Sequence, residues 1–122
     1  MIKTESMRAV AYIAARIANQ KVVGNIYDYQ AGTYFNINGE VTPNHVNVFD
    51  YSASNYITGN SSNGSFNLFN YDTSNYVQLK VKQNNFDGFD YASSSFFSGT
   101  VTPLGAVSFF DYSLGRYFNF QV

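Results

Sequence analysis

Four aspartates and one asparagine recur between aromatic neighbours: Tyr27-Asp28-Tyr29, Phe49-Asp50-Tyr51, Phe69-Asn70-Tyr71, Phe89-Asp90-Tyr91 and Phe110-Asp111-Tyr112. Carboxylates in such a series raise three chemistries. Glycoside hydrolysis needs two carboxyl groups about 5 to 9.5 Å apart, in environments that push their pKa values apart. A periodic array offers like environments instead. A calcium loop needs oxygen ligands at alternating positions, which these segments lack, and Asn70 would remove a charge. The third chemistry is structural. An acceptor oxygen beside a tight turn takes the loop's N–H groups, and Asp and Asn serve equally. Asp28, Asp50, Asn70, Asp90 and Asp111 are therefore read as turn-supporting residues.

No other constellation carries catalysis. His45 is the only histidine and lies in a Pro-Asn-His loop. No His, Cys, Asp and Glu cluster has metal-ligand spacing. No phosphate-cradling glycine loop, nucleophile elbow or H-E-x-x-H helix is present. The chain is read as non-enzymatic and without a cofactor. The tyrosines following each Asp or Asn are a different matter. Tyr joins apolar area to a polar tip, so Tyr29, Tyr51, Tyr71 and Tyr112 form a candidate ligand surface.

These residues belong to a repeat of about 20 to 22 residues, a period that signals a repeated structural unit. In each copy a second aromatic follows five residues after the first tyrosine, at 34, 56, 76, 96 and 117. The four residues between are mostly small or polar, as a hairpin loop requires. The expectation is that the two rings of each pair, such as Tyr51 and Tyr56, face each other across the turn. Asn38-Gly39, Asn63-Gly64 and Gln83-Asn84-Asn85 read as the turns between copies. Val41-Thr42-Pro43 and Val101-Thr102-Pro103 read as strand ends or edges. Gly88, Gly59 and Gly99 interrupt strands where a bulge or a neighbour's bulk could enter.

Thr4 to Gln20 reads as the one helix. It is Ala-rich, free of Gly and Pro inside, and has Thr4 or Ser6 as N-cap. Val10, Ile13, Ala14 and Ile17 form one apolar stripe, which predicts a helix lying over a sheet or capping its end. From Val22 the apolar period changes to two. Val48, Asp50, Ile57 and Gly59 fall on one strand face, and Phe49, Tyr51, Tyr56 and Thr58 on the other.

The fold class is mainly β, one domain over 1–122, with a helix at 4–20 and a β-repeat body at 22–122. Five hairpins form an antiparallel meander, curled or barrel-like because both strand faces carry apolar groups. The alternative is a β-solenoid of about 20 residues per coil capped by the helix. The last strand, Arg116 to Val122, has no successor, so Phe110, Phe118 and Phe120 make a candidate assembly edge.

Composition narrows the partners. Aromatic residues make up 19 % of the 122 and charged ones 12 %, with a formal net charge of −1. A basic face for nucleic acid is missing. The absence of cysteine removes disulfides and thiolate sites. No stretch is long enough to span a membrane as a helix, and no signal peptide is visible. The Asn, Ser and Tyr content is compatible with an extracellular or virion surface. The reading is a structural or self-assembling repeat protein. The alternative is a small binding module for carbohydrate or a protein surface.

Overall fold

A computed structural model describes residues 1–122. The helix α1, Thr4–Asn19, is followed by ten strands. They are β1 (Asn25–Asp28), β2 (Thr33–Val41), β3 (His45–Asp50), β4 (Asn55–Ser62), β5 (Ser65–Asn70), β6 (Asn75–Lys82), β7 (Asn85–Asp90), β8 (Ser95–Val101), β9 (Ala106–Asp111) and β10 (Arg116–Gln121). Each strand pairs antiparallel with its successor, and β10 pairs with β1, so the meander closes into a barrel. A solenoid is excluded by this order. The terminal strand is not an edge either.

The helix occupies the barrel's interior. Every residue from Ser6 to Arg16 is buried, which no helix lying on one surface achieves. The helix touches β1, β2, β6, β8 and β9, strands distributed around the wall. Placement over a sheet or across an opening, as the apolar stripe predicts, is thus corrected. The stripe is real, but Arg8, Ala11 and Ala15 outside it are also enclosed. A ten-stranded barrel has a radius of roughly 10 Å, given its stagger. A helix with side chains is about 10–12 Å across. The fit is tight, and it is eased by five Ala among the helix's 16 residues.

Strand alternation divides the wall cleanly. Ile26, Ile37, Val46, Val48, Ile57, Leu68, Val77, Leu79, Val107, Phe109, Phe118 and Phe120 face inward and are buried. The inward positions at 88 and 99 are glycine. A Cβ on Gly88 would collide with the Gln78 carbonyl oxygen and stand 2.5 Å from the Phe97 ring. The neighbour's bulk expected from the sequence is thus Phe97, which stacks on Phe109 with centroids 5.0 Å apart.

The helix enters at the rim formed by the β1–β2, β3–β4, β5–β6, β7–β8 and β9–β10 turns, and leaves at the other. Its N-cap is Lys3, with no side-chain cap. Thr4 does not cap it, and Ser6 is one turn inside. At the far rim Arg16 donates to the Gly39 carbonyl at 2.7 Å and Asn19 to the Thr102 carbonyl at 3.0 Å. Asn63-Gly64 turns as expected, with positive φ at both residues, the geometry of a tight hairpin. Asn38-Gly39 does not turn. It lies within β2, where Gly39 (φ 138°) runs so close to Asn47 that a side chain would meet its backbone. The turn follows at 42–44. No helix is long and apolar enough to cross a membrane.

Candidate functional site

The five Asp or Asn residues end the first strand of each hairpin and point into the barrel, all buried. In four copies one oxygen accepts the N–H two residues on: Gln30 to Asp28 (2.9 Å), Ser52 to Asp50 (3.0 Å), Asp72 to Asn70 (3.2 Å) and Ser113 to Asp111 (2.8 Å). Asp90 departs, taking only the Ser93 hydroxyl at 2.6 Å. The second side-chain atom does something the sequence did not suggest. Asp111 accepts the Ile2 N–H at 3.3 Å, Asn70 donates to the Ser6 hydroxyl at 3.0 Å, and Asp50 accepts the Arg8 guanidinium at 3.1 Å. In these three copies one atom holds the turn and the other holds the helix or the residue leading into it, whereas the second oxygens of Asp28 and Asp90 are buried without a partner. The carboxylates do not converge, and no group of three or more is placed to hold a metal ion.

Each four-residue loop starts one residue earlier than the sequence implies. It runs 29–32, 51–54, 71–74, 91–94 and 112–115. Its last residue, Gly32, Ser54, Ser74, Ser94 or Gly115, is left-handed. The cross-strand pair is consequently Phe49↔Tyr56, and the rings five apart do not face each other. Tyr51 belongs to the loop. Phe49 sits between the two tyrosines, 4.9 Å from the Tyr51 centroid and 4.6 Å from Tyr56. The same triad recurs in every hairpin, edge to face in most, an arrangement worth about 0.5–1.5 kcal/mol per pair.

On the outer wall these triads make a continuous belt. The outward residue next to the rim is aromatic on all ten strands: Tyr27, Tyr34, Phe49, Tyr56, Phe69, Tyr76, Phe89, Phe96, Phe110 and Tyr117. The loop tyrosines Tyr29, Tyr51, Tyr71 and Tyr112 stand at its edge, each between 55 and 59 % exposed. The next outward residue is polar on every strand: Asn25, Asn36, Asn47, Thr58, Asn67, Gln78, Asp87, Ser98, Ser108 and Asn119. Nine of these ten are uncharged. An aromatic ring thus lies directly on a ring of amides and hydroxyls, and the wall carries no apolar band beyond it.

The belt is not uniform. At three junctions between hairpins the incoming aromatic lies beside the residue two past the preceding one: Phe69 by Thr58, Phe89 by Gln78, Phe110 by Ser98. At the other two the step is four, placing Phe49 by Asn38 and Tyr27 by Gln121. Open grooves lie at the two-residue steps. One of about 600 Å³ is lined by Thr58, Asn60, Asn67, Phe69, Tyr71 and Tyr76. A second of about 490 Å³ has Gln78, Asp87, Ser98, Phe96 and Tyr112. A third of about 690 Å³ has Asn85, Asp87, Ser98, Ser108, Tyr117 and Asn119. At the β10–β1 junction the Gln30 side chain bridges to Asn119, donating to its carbonyl at 3.0 Å and accepting its N–H.

The candidate assembly edge is not present. Phe118 and Phe120 are buried inside the barrel, and only Phe110 faces outward, beneath Tyr112 and Tyr117. Closure of β10 onto β1 turns the apparent edge into an internal strand. His45 is half-exposed at the far rim beside Asn60, 2.7 Å away, and Glu40. Of the departures from the repeat, Phe96 and the inward Gly88 fall together at the second groove. Compared with known families, curated proteins and solved structures, the chain matches none.

Proposed function

We propose that this protein is a non-catalytic binding module for neutral carbohydrate, using the grooves at Tyr71, Tyr76, Phe96, Tyr112 and Tyr117. The observation that carries the reading is the double ring on the outer wall. Flat aromatic faces suit the apolar C–H face of a pyranose, and uncharged amides and hydroxyls suit its hydroxyl groups. Few charges line the grooves, so a neutral ligand suits them better than a charged one. The triads are rigidly supported by ring-on-ring contacts, which lowers the ordering cost of binding. The belt could also seat a second copy of the chain, but a ring of hydrogen-bonding groups directly beside it favours a hydroxylated ligand.

The test is a glycan array followed by calorimetric titration of any hit. The expected result is millimolar to micromolar binding that weakens about tenfold in Tyr71→Ala and Tyr112→Ala. A protein that binds no sugar and whose mass doubles with concentration, in a Tyr-dependent way, would replace this reading with self-association.

A further inference from the structure

We infer that the ligand is an extended oligosaccharide lying across one side of the barrel, rather than five separate sugars around the belt. This rests on the carbohydrate reading above. The five hairpins are alike in sequence, yet the three grooves all lie on the arc from β4 to β10. The second and third share Asp87 and Ser98. The first and second meet on β6, where Tyr76 lines one and Gln78 the other. The second and third are thus continuous, and the first adjoins them across β6, so that together they trace one trough. It crosses six inter-strand spacings, roughly 29 Å of wall at 4.8 Å each, the span of several sugar rings.

The register explains why the trough stops where it does. A two-residue step sets the next hairpin's aromatic wall against a polar floor, as with Phe69 beside Thr58, and as with Tyr112, whose hydroxyl lies 3.1 Å from that of Ser98. A four-residue step pulls wall and floor apart, and at β10–β1 the Gln30 side chain lies in the gap. A lining that is neutral except for Asp87, with aromatic platforms at intervals, fits a chain whose successive residues present alternating apolar and hydroxyl faces.

The experiment is titration with glucose and with β-1,4- and α-1,4-linked glucose trimers and hexamers, alongside N-acetylglucosamine oligomers, by calorimetry and proton–nitrogen NMR. The trough predicts one hexamer per protein and affinity rising about tenfold or more from monomer to hexamer. Tyr76→Ala, Phe96→Ala and Tyr117→Ala should each weaken the hexamer about tenfold, although they lie on three different hairpins. Tyr34→Ala, on the closed arc, should leave it unchanged. All four positions face outward, so circular dichroism should show intact folding. Several monomers binding per protein, with no gain from chain length, would overturn the trough while leaving the carbohydrate reading standing. Failure of every sugar to bind would overturn both.

Discussion

Arg8 on the central helix and Asp50 on the wall form an ion pair at 3.1 Å, both nearly inaccessible to water. The guanidinium also donates to Ser52 at 3.0 Å and lies 3.8 Å over the Phe35 ring. Asp50 meanwhile accepts the Ser52 and Ala53 N–H groups with its other oxygen. One residue thus couples a surface loop to the interior helix. Asp50→Asn keeps an oxygen for the turn but leaves Arg8 as an uncompensated buried charge, which costs about 3–5 kcal/mol. Arg8→Met with Asp50→Asn should recover much of that loss. Denaturant unfolding of the single and double variants measures it, and a strictly additive double variant would deny the coupling.

Asn70 is the sharpest test of what the Asp/Asn position does. It accepts the Asn55 amide at 2.8 Å and donates its own to Ser6 at 3.0 Å. Asp at this site keeps the acceptor and loses the donor, and places a charge between buried neutral partners. Asn70→Asp should destabilise by about 1–3 kcal/mol, an effect that protonating the new carboxyl at low pH would reduce. Tolerance of Asp at neutral pH would mean that the Ser6 hydroxyl can reverse and donate to the carboxylate, and that the amide donor of Asn70 is not required.

The sequence made the five hairpins, the ten strands and the assignment of faces legible, because period-two alternation and turn residues are local signals. Helix placement was not legible. An Ala-rich helix with one apolar stripe suits a surface or a lumen, and only barrel closure, a long-range pairing of β10 with β1, decides between them. Tyr29, Tyr51, Tyr71 and Tyr112 could be singled out as exposed rings, since they follow the buried acceptor by one residue. Phe118 and Phe120 were misplaced because an apparent terminal edge and a barrel seam look identical in sequence. The grooves depend on register steps of two or four, which no local pattern encodes.

Enclosure of the helix has its own test. Ala11 and Ala14 are fully buried among the wall side chains. Overpacking such a site costs typically about 1–3 kcal/mol, whereas leucine on an exposed helix face would be nearly neutral. Ala11→Leu should therefore lower the denaturation midpoint clearly. An unchanged midpoint would place that face of the helix outside the barrel.

Three hairpin loops end on a serine in the left-handed region, Ser54, Ser74 and Ser94, where two others use Gly32 and Gly115. Left-handed backbone costs an ordinary residue about 1–2 kcal/mol, while glycine adds entropy to the unfolded chain. Ser74→Gly should be stabilising by a few tenths to about 1 kcal/mol, the strain relief outweighing the entropy. Ser74→Val at the same site should lose more than 1 kcal/mol. Thermal unfolding of the pair gives the sign directly, and a stabilising valine would contradict the loop geometry.

Tyr12 sits in the middle of the helix, fully enclosed, with its hydroxyl donating to the Val23 carbonyl and accepting from Arg16 at 3.1 Å. Burial raises its pKa above the ordinary 10.0, and the nearby Arg16 charge opposes the rise in part. The phenol is therefore held neutral more tightly in the folded than in the unfolded chain. By linkage, its contribution is fully present below about pH 10 and declines as pH climbs from there through the folded value. Stability measured by denaturant between pH 8 and pH 12 should fall in the alkaline part of that range. Tyr12→Phe should flatten this part of the decline, at the expense of the Val23 and Arg16 hydrogen bonds, about 0.5–1.5 kcal/mol each. A decline of equal slope in the variant would assign alkaline sensitivity to other groups and remove Tyr12 from it.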